Sequence, residues 1–449
     1  MRDNSQEILN GRIFPALTRF SIPILFSLVL QALYGAVDLW MVSQFASKAD
    51  VSAVSNGSQT MIIVNGIITG LAMGITVLLG QALGKDDKPL VKKILGSSIW
   101  IFSVLALLLT IILTSTGGVL VDTLNVPGEA RVLAREYILI CGAGTIFVVA
   151  FNVLNSVFCG FGDSKTPLYF VGIACVVNII LDYLLIAILG LGTVGASIAT
   201  IVAQAVSVIC SLFLVRGRLP RLTREDFIPD RRLILNILKL GAPIALLRMV
   251  NEISYLVILG FTNKLDVVAS AGVGIAEKLV MFILLIPTAY MSAISAFVAI
   301  NKGAGNYKRA RASMWVGMLN AIVIGGIMAY LSFMHGDLLS RIFISDAEVI
   351  EASSEFLRVT AIECFILGLA YAFNGYFNGV EKTGFVMLQG LVACLLIRIP
   401  YAYFASIGDN PSLFNIGMSV AYAAIFMLVA SAIYYFIDRH KENKKKIIE

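Results

Sequence analysis

Long apolar runs, separated by short polar stretches, recur along the whole chain. Twelve are present, at approximately 18–45, 52–83, 90–115, 132–159, 166–190, 194–216, 234–262, 267–300, 311–335, 349–378, 384–408 and 413–437. Each is long enough for the roughly 20 residues an α-helix needs to cross a bilayer's hydrocarbon core. Several are longer, so tilted, bent or projecting helices are expected. The polar residues inside these runs fall at helical spacings. Gln31, Tyr34 and Asp38 stand at i, i+3 and i+7, and Asn178 and Asp182 at i and i+4, which puts each set on one helix face. A carboxylate in hydrocarbon costs several kcal/mol, so such residues face a polar cavity or a partner. A wet, acidic stripe inside a membrane bundle is what a cation-coupled carrier needs.

The most polar internal stretch, Arg216–Arg232 (RGRLPRLTREDFIPDRR), leaves six spans on either side. This gives a cytoplasmic N-terminal segment (1–13), an N-lobe (14–216), a linker (217–232), a C-lobe (233–437) and a basic tail (438–449). The halves echo each other. SIPI at 21–24 matches APIA at 242–245, placing Pro23 against Pro243. GQALGKDDKPLVKK at 80–93 matches AINKGAGNYKRARA at 299–312, aligning Gly84 with Gly303. FCGFGDSKTP at 158–167 echoes FNGVEKTG at 377–384, with Gly160 against Gly379. An even number of spans per half makes this a parallel repeat, with its pseudo-two-fold axis along the membrane normal and a cavity near the midplane. The expected fold is an all-α integral membrane protein of twelve transmembrane helices in two six-helix bundles. Proline in the first span of each half weakens a backbone hydrogen bond and permits a bend.

Composition agrees: 58% of residues are hydrophobic and 14% charged, with a mean hydropathy of +0.89, whereas soluble domains carry about 25% charged residues. Residues 1–17 are polar and charged, so no cleavable signal peptide is expected. Of the 34 Lys and Arg residues, 25 fall on the side that holds the N-terminus when loops are assigned alternately. The positive-inside rule then puts both termini in the cytoplasm of a multi-pass plasma-membrane protein. This bias explains the net charge of +6 without a nucleic-acid partner, and the tail KENKKK reads as a solvated basic segment beside the membrane lipids. The six cysteines lie far apart with no CxxC pair, and His335 and His440 are the only histidines. A disulfide framework, metal centre or histidine relay has little support. No GxxxxGK[ST], HExxH or GxSxG motif occurs, so neither an enzyme nor an organic cofactor is expected.

Charges within the spans divide unevenly. The second half carries Arg248, Lys278 and Arg398 against Glu252, Glu277 and Glu363, and can be neutral. Arg248 and Glu252 stand at i and i+4, where they can pair; Glu252 is either that partner or a second coupling carboxylate lining the substrate cavity. Glu363 and Arg398 can pair across helices. In the first half Asp38 and Asp182 have no basic residue at comparable depth, and burial disfavours the free charge, so they would take up a proton or a cation. Thr200 and Gln204, at i and i+4 in GASIATIVAQAVS, supply further oxygens suited to a hard cation such as Na⁺. Gln31, Tyr34, Asn155 and Gln204 are candidates for lining the cavity. Asn178 can equally serve as an interhelical hydrogen-bond former, and Thr200 can bond its own helix.

The segments VDLWMVSQF, GQALGKDD, GFGDSKTP and NIILDYLL with GASIAT, repeated as AINKGAGN and NGVEKTG, resemble the multidrug and toxic compound extrusion (MATE) transporters over residues 14–437. The resemblance implies a two-lobed antiporter, monomeric, that expels organic cations and drugs in exchange for H⁺ or Na⁺ by alternating access. The first-half cation site of that family maps onto Asp38, Asn178, Asp182 and Thr200, with Gln31, Tyr34 and Asn155 lining the cavity. Some members also have an acidic pair on the seventh and tenth helices; Glu252 resembles the first, but Glu363 lies about a turn away from the second. The alternative is a flippase of a lipid-linked saccharide or other amphipathic anion on the same superfamily fold, whose cavity would be lined by residues such as Arg248, Lys278 and Arg398.

Overall fold

The computed structural model describes residues 2–123, 126, 128–215, 219–263, 265, 267–408 and 411–448. The expected lobe boundary at 216/217, and Arg216, Arg218 and Lys264, lie outside them. Among the described residues the chain is helical, with no strand. In chain order the helices are α1 (Arg2–Asn10), α2 (Ile13–Phe45), α3 (Lys48–Gly84), α4 (Lys88–Thr123), α5 (Gly128–Ala143), α6 (Thr145–Gly160), α7 (Lys165–Asp182), α8 (Gly192–Val215), α9 (Arg231–Thr262), α10 (Val267–Gly303), α11 (Tyr307–Met334), α12 (Gly336–Ser340), α13 (Ala347–Gly379), α14 (Thr383–Val392), α15 (Ile399–Ile407) and α16 (Leu413–Ile448). A π-helix, Tyr183–Ile188, continues α7, another, Ala393–Arg398, joins α14 to α15, and a 3₁₀ turn, Arg224–Phe227, lies in the linker.

Among the described residues eleven helices are long and apolar enough to cross a membrane, and the total is twelve when the bent pair of α5 and α6 is taken as one span. The expected continuous span 132–159 is therefore broken, by 53° between α5 and α6. The break sits at Gly144, where the Thr145 hydroxyl turns back to the Cys141 carbonyl at 3.1 Å. A Cβ at Gly144 would overlap the Ile201 side chain of α8. Hydropathy registers neither effect.

Contacts divide the chain into two units. The first comprises Met1–Gly11, Arg19–Ala245 and Ala299–Gly305; the second comprises Arg12–Thr18, Leu246–Val298 and Asn306–Glu449. The first unit thus extends beyond the linker into α9. Side-chain-free positions allow this: a Cβ at Gly70 would meet Ala245, one at Gly74 the Ile237 carbonyl, and one at Gly241 the Leu71 backbone. The early part of α9 accordingly lies tight against α3, with Ile237 fully buried in the first unit's core.

The sequence repeat has a structural counterpart. A Cβ at Gly84 would overlap the Ile300 carbonyl, and one at the aligned Gly303 would overlap the Gln81 carbonyl. Within the first unit, a Cβ at Gly160 would press on Leu79 and Thr76; within the second, one at Gly379 would press on Val298 and the Ser295 carbonyl. Each pair of partners is separated by the same 219 residues as its glycines. Left-handed residues recur at that spacing too: Asp86 (φ 53°) with Gly305 (φ 76°), and Gly162 (φ 74°) with Glu381 (φ 70°). The glycines are kept free of side chains by close backbone approach, and the turns after them need positive φ.

Candidate functional site

The first unit's polar interior starts on α2. Asp38 is buried in α2, while Gln31 and Tyr34 on the same helix are half-buried. Asn178 and Asp182, on the last turn of α7, are both buried, and Asp182 is fully enclosed. The helix widens to π geometry immediately after Asp182. Such bulges free or displace backbone hydrogen bonds and recur at functional positions. Asp163 holds the other end of α7 in place: its Oδ1 accepts the Lys165 and Thr166 N–H groups at 3.1 Å each, and its Oδ2 accepts the Thr166 hydroxyl at 2.6 Å.

The carboxyl of Asp38 lies beside that of Asp182, close enough for the two to share a proton. No Lys or Arg among the described residues pairs with either. Asp38 Oδ1, both Asp182 oxygens, both amide atoms of Asn178 and Gln204 Oε1 are buried with no hydrogen-bond partner. Tyr34 interacts with the Gln204 side chain and lies within electrostatic reach of Asp38. Buried polar atoms in folded proteins are nearly always satisfied, so this concentration of unpartnered polar atoms sets the cluster apart from ordinary helix packing. The donor set of carboxylate and amide oxygens suits a hard monovalent cation as well as a proton.

The structure brings Tyr34, Asp38, Asp182 and Gln204 together, with Asn178 one turn before Asp182. Thr200 is half-buried on α8 in line with Gln204, and no hydrogen bond joins it to the carboxyl pair. Asn155 on α6 accepts from Cys159 Sγ at 3.8 Å and likewise makes no bond to that pair. Two residues that the sequence reading passed over also belong here: Tyr137 and Cys141 of α5, both buried, lie within electrostatic reach of Asp38. Their i, i+4 spacing in EYILICGAG was the available signal.

The second unit holds a separate cluster. Glu363 of α13 and Arg398 at the end of the second π-helix are buried and pair at 3.5 Å. Tyr255 of α9 donates its hydroxyl to Glu363 Oε1 at 2.9 Å, and its ring lies 4.6 Å from the Arg398 guanidinium. Arg398 Nη1 and Cys394 Sγ both donate to Asn251 Oδ1, at 3.5 and 3.0 Å. Glu252 is half-buried and feels the charges of Arg248 and Glu277. Arg248 and Glu252 form no ion pair within 4.0 Å, although their spacing allows one.

The MatE family model matches this chain twice, at residues 23–184 and 243–404, so that the two matches begin at the aligned prolines. A probable multidrug resistance protein, YpnP of Bacillus subtilis (strain 168), is 28% identical over 98% of each chain. A protein of Shewanella oneidensis named as an FAD transporter is 24% identical over 98% of this chain and 97% of its own. A solved outward-facing multidrug resistance MATE transporter of the MOP superfamily superposes with a TM-score of 0.89 at 20% identity, covering 98% of each chain. With its repeated family match and its membrane-crossing helices, the chain belongs to the MATE family of multidrug efflux transporters and is an integral membrane protein.

Proposed function

We propose that this transporter is a secondary antiporter exporting organic cations or other amphipathic drugs in exchange for H⁺ or Na⁺, with Asp38, Asn178, Asp182 and Thr200 forming the coupling site. The observation that carries this reading is the pair of buried, unpaired carboxyls in the first unit, with open amide oxygens beside them. Two neighbouring carboxylates without a counter-charge repel each other. A bound proton or Na⁺ relieves the repulsion and favours the packing seen around α2 and α7. A cationic substrate near Tyr34, Gln31, Asn155 and Gln204 would interact with the same negative field, so ion and substrate oppose each other. By reciprocal linkage each then weakens the other's binding, which is the thermodynamic condition for exchange. Glu252 is assigned to the substrate path through the second unit. Both termini lie in the cytoplasm, the working unit is a monomer, and no organic cofactor takes part.

The second reading is export of an amphipathic anion, including a lipid-linked saccharide. It is favoured by the relative named as an FAD transporter. Efflux of ethidium from proteoliposomes under an imposed pH or Na⁺ gradient separates the two. The first reading expects gradient-driven efflux in the wild type that is lost in Asp38→Asn at equal reconstitution. Absence of cation efflux under both gradients, with FAD transported instead, would establish the second.

A further inference from the structure

The linker carries a feature that transport of a drug does not require. Its Leu219 and Leu222 pack against the first unit's core, while Phe227 and Ile228 point outward, 46% and 68% exposed. The turn that presents them is firmly built. Asp226 Oδ2 accepts the Thr223 N–H at 2.7 Å and hydroxyl at 2.8 Å. These bonds hold the Asp226 carboxyl below the usual carboxylate range, so the cap persists at neutral pH. The Asp226 carbonyl rests on Gly96 of α4, where any Cβ would overlap it. Two apolar side chains are therefore held in fixed outward positions, outside every membrane-crossing helix.

The position along α4 shows what they face. The apolar span in α4 has 35 residues, about 52 Å at ~1.5 Å per residue, against a hydrocarbon core of about 30 Å. Lys88, Lys92 and Lys93 in its first two turns keep that end out of the hydrocarbon, and Gly96 follows Lys93 within one turn. One turn further on, Ile99 and Trp100 are exposed on the helix surface, and exposed tryptophan is characteristic of the membrane interface. The charges around the turn fit an anionic surface. Arg221, Arg224, Arg231, Arg232 and Lys93 are exposed, and none forms an ion pair among the described residues. Asp226 is engaged in its own cap. Asp230 is engaged in another, accepting the Arg232 and Leu233 N–H groups at 2.8 and 3.3 Å. Glu225, Asp226 and Asp230 offset part of this basic set, Asp226 lying within electrostatic reach of Lys93, and the patch stays net positive.

We propose that the linker is an interfacial membrane anchor, in which Phe227 and Ile228 enter the boundary of the acyl chains while Arg221, Arg224, Arg231, Arg232 and Lys93 hold anionic phospholipid headgroups. Basic residues near an anionic surface are drawn to it, and the two apolar side chains add burial in the interface. The anchor fixes the level of the linker and, through Gly96, that of α4.

The test uses the full-length protein in nanodiscs of phosphatidylcholine, with and without phosphatidylglycerol. Phe227→Trp, and separately Ile228→Trp, are made with Trp40, Trp100 and Trp315 replaced by Phe. The anchor predicts blue-shifted emission, loss of most of it to lipids brominated on the acyl chain, and stronger quenching when phosphatidylglycerol is present. Arg221→Glu with Arg224→Glu should abolish that phosphatidylglycerol-dependent increase. Water-like emission unquenched in both lipids, at both positions, would overturn the anchor. Quenching that is indifferent to phosphatidylglycerol would overturn its anionic-lipid part.

Discussion

Asp38 and Asp182, on the first and fifth spans, bring their carboxyls together inside the first unit, and no basic side chain among the described residues pairs with them. Apposed, desolvated like charges destabilise the state that holds them. Asp182→Asn removes one charge while keeping the shape. In Na⁺-free buffer at alkaline pH, its thermal midpoint in detergent should lie a few degrees above wild type. The difference should shrink as the pH falls and the wild-type carboxyls take up protons. A lower midpoint for the variant at alkaline pH would contradict an uncompensated carboxyl pair.

Glu363 and Arg398 behave in the opposite way, because they hold each other. Glu363→Gln leaves the guanidinium buried with a neutral neighbour, and breaking a buried pair from one side costs roughly 3–5 kcal/mol. Glu363→Gln combined with Arg398→Met should recover most of that loss. Denaturant unfolding of the single and double variants measures both effects. An additive double variant would show that the two groups do not stabilise each other.

Gly84 and Gly303 are predicted to be equivalent in stability as they are in sequence. A methyl group at either position meets a backbone carbonyl of the other helix, Ile300 or Gln81, which cannot rotate away as a side chain would. Gly84→Ala and Gly303→Ala should each destabilise by about 1–3 kcal/mol, the usual range for overpacking. At Gly172, where a Cβ would meet nothing within 4 Å, alanine should be neutral or slightly stabilising. Thermal unfolding of the three variants side by side checks the order.

Asp50 links the start of α3 to the start of α8. Its Oδ1 accepts the Thr193 N–H at 2.9 Å and hydroxyl at 2.7 Å, and its Oδ2 accepts the Ser47 N–H at 3.1 Å. Asp50→Ala loses both acceptor oxygens and leaves the part-buried Thr193 N–H unsatisfied, the Thr193 hydroxyl keeping only the Asp50 carbonyl at 3.4 Å. A cost of about 1–3 kcal/mol is expected, with Thr193→Val losing less because the N–H bond stays. Equal effects of the two substitutions on unfolding would contradict this division.

Much of this was legible before the structure, for physical reasons. A lone carboxylate in an apolar span is costly enough to stand out, which is why Asp38 and Asp182 could be found from spacing alone. The Glu363–Arg398 pair was visible as two charges needing each other. The repeat was visible because backbone contact at Gly84, Gly160, Gly303 and Gly379 excludes every side chain. The break at Gly144 was not legible, since the flanking residues are apolar on both sides of it. Tyr137 was passed over because a tyrosine in a span looks like ordinary packing until its neighbour is known to be Asp38. At Arg248 and Glu252 the i, i+4 spacing brings the two charges within electrostatic reach of each other without an ion pair.

In the proposed mechanism, substrate and coupling ion exchange at the first unit's carboxyls. Its most direct test is isothermal titration of tetraphenylphosphonium into the purified protein in nanodiscs. Two buffers of different ionisation enthalpy, each with and without Na⁺, would be used. The wild type should release protons on binding, or bind more weakly as Na⁺ rises, and Asp38→Asn and Asp182→Asn should each lose that dependence. Variants that bind tetraphenylphosphonium with undiminished proton release or Na⁺ competition would place the coupling site elsewhere.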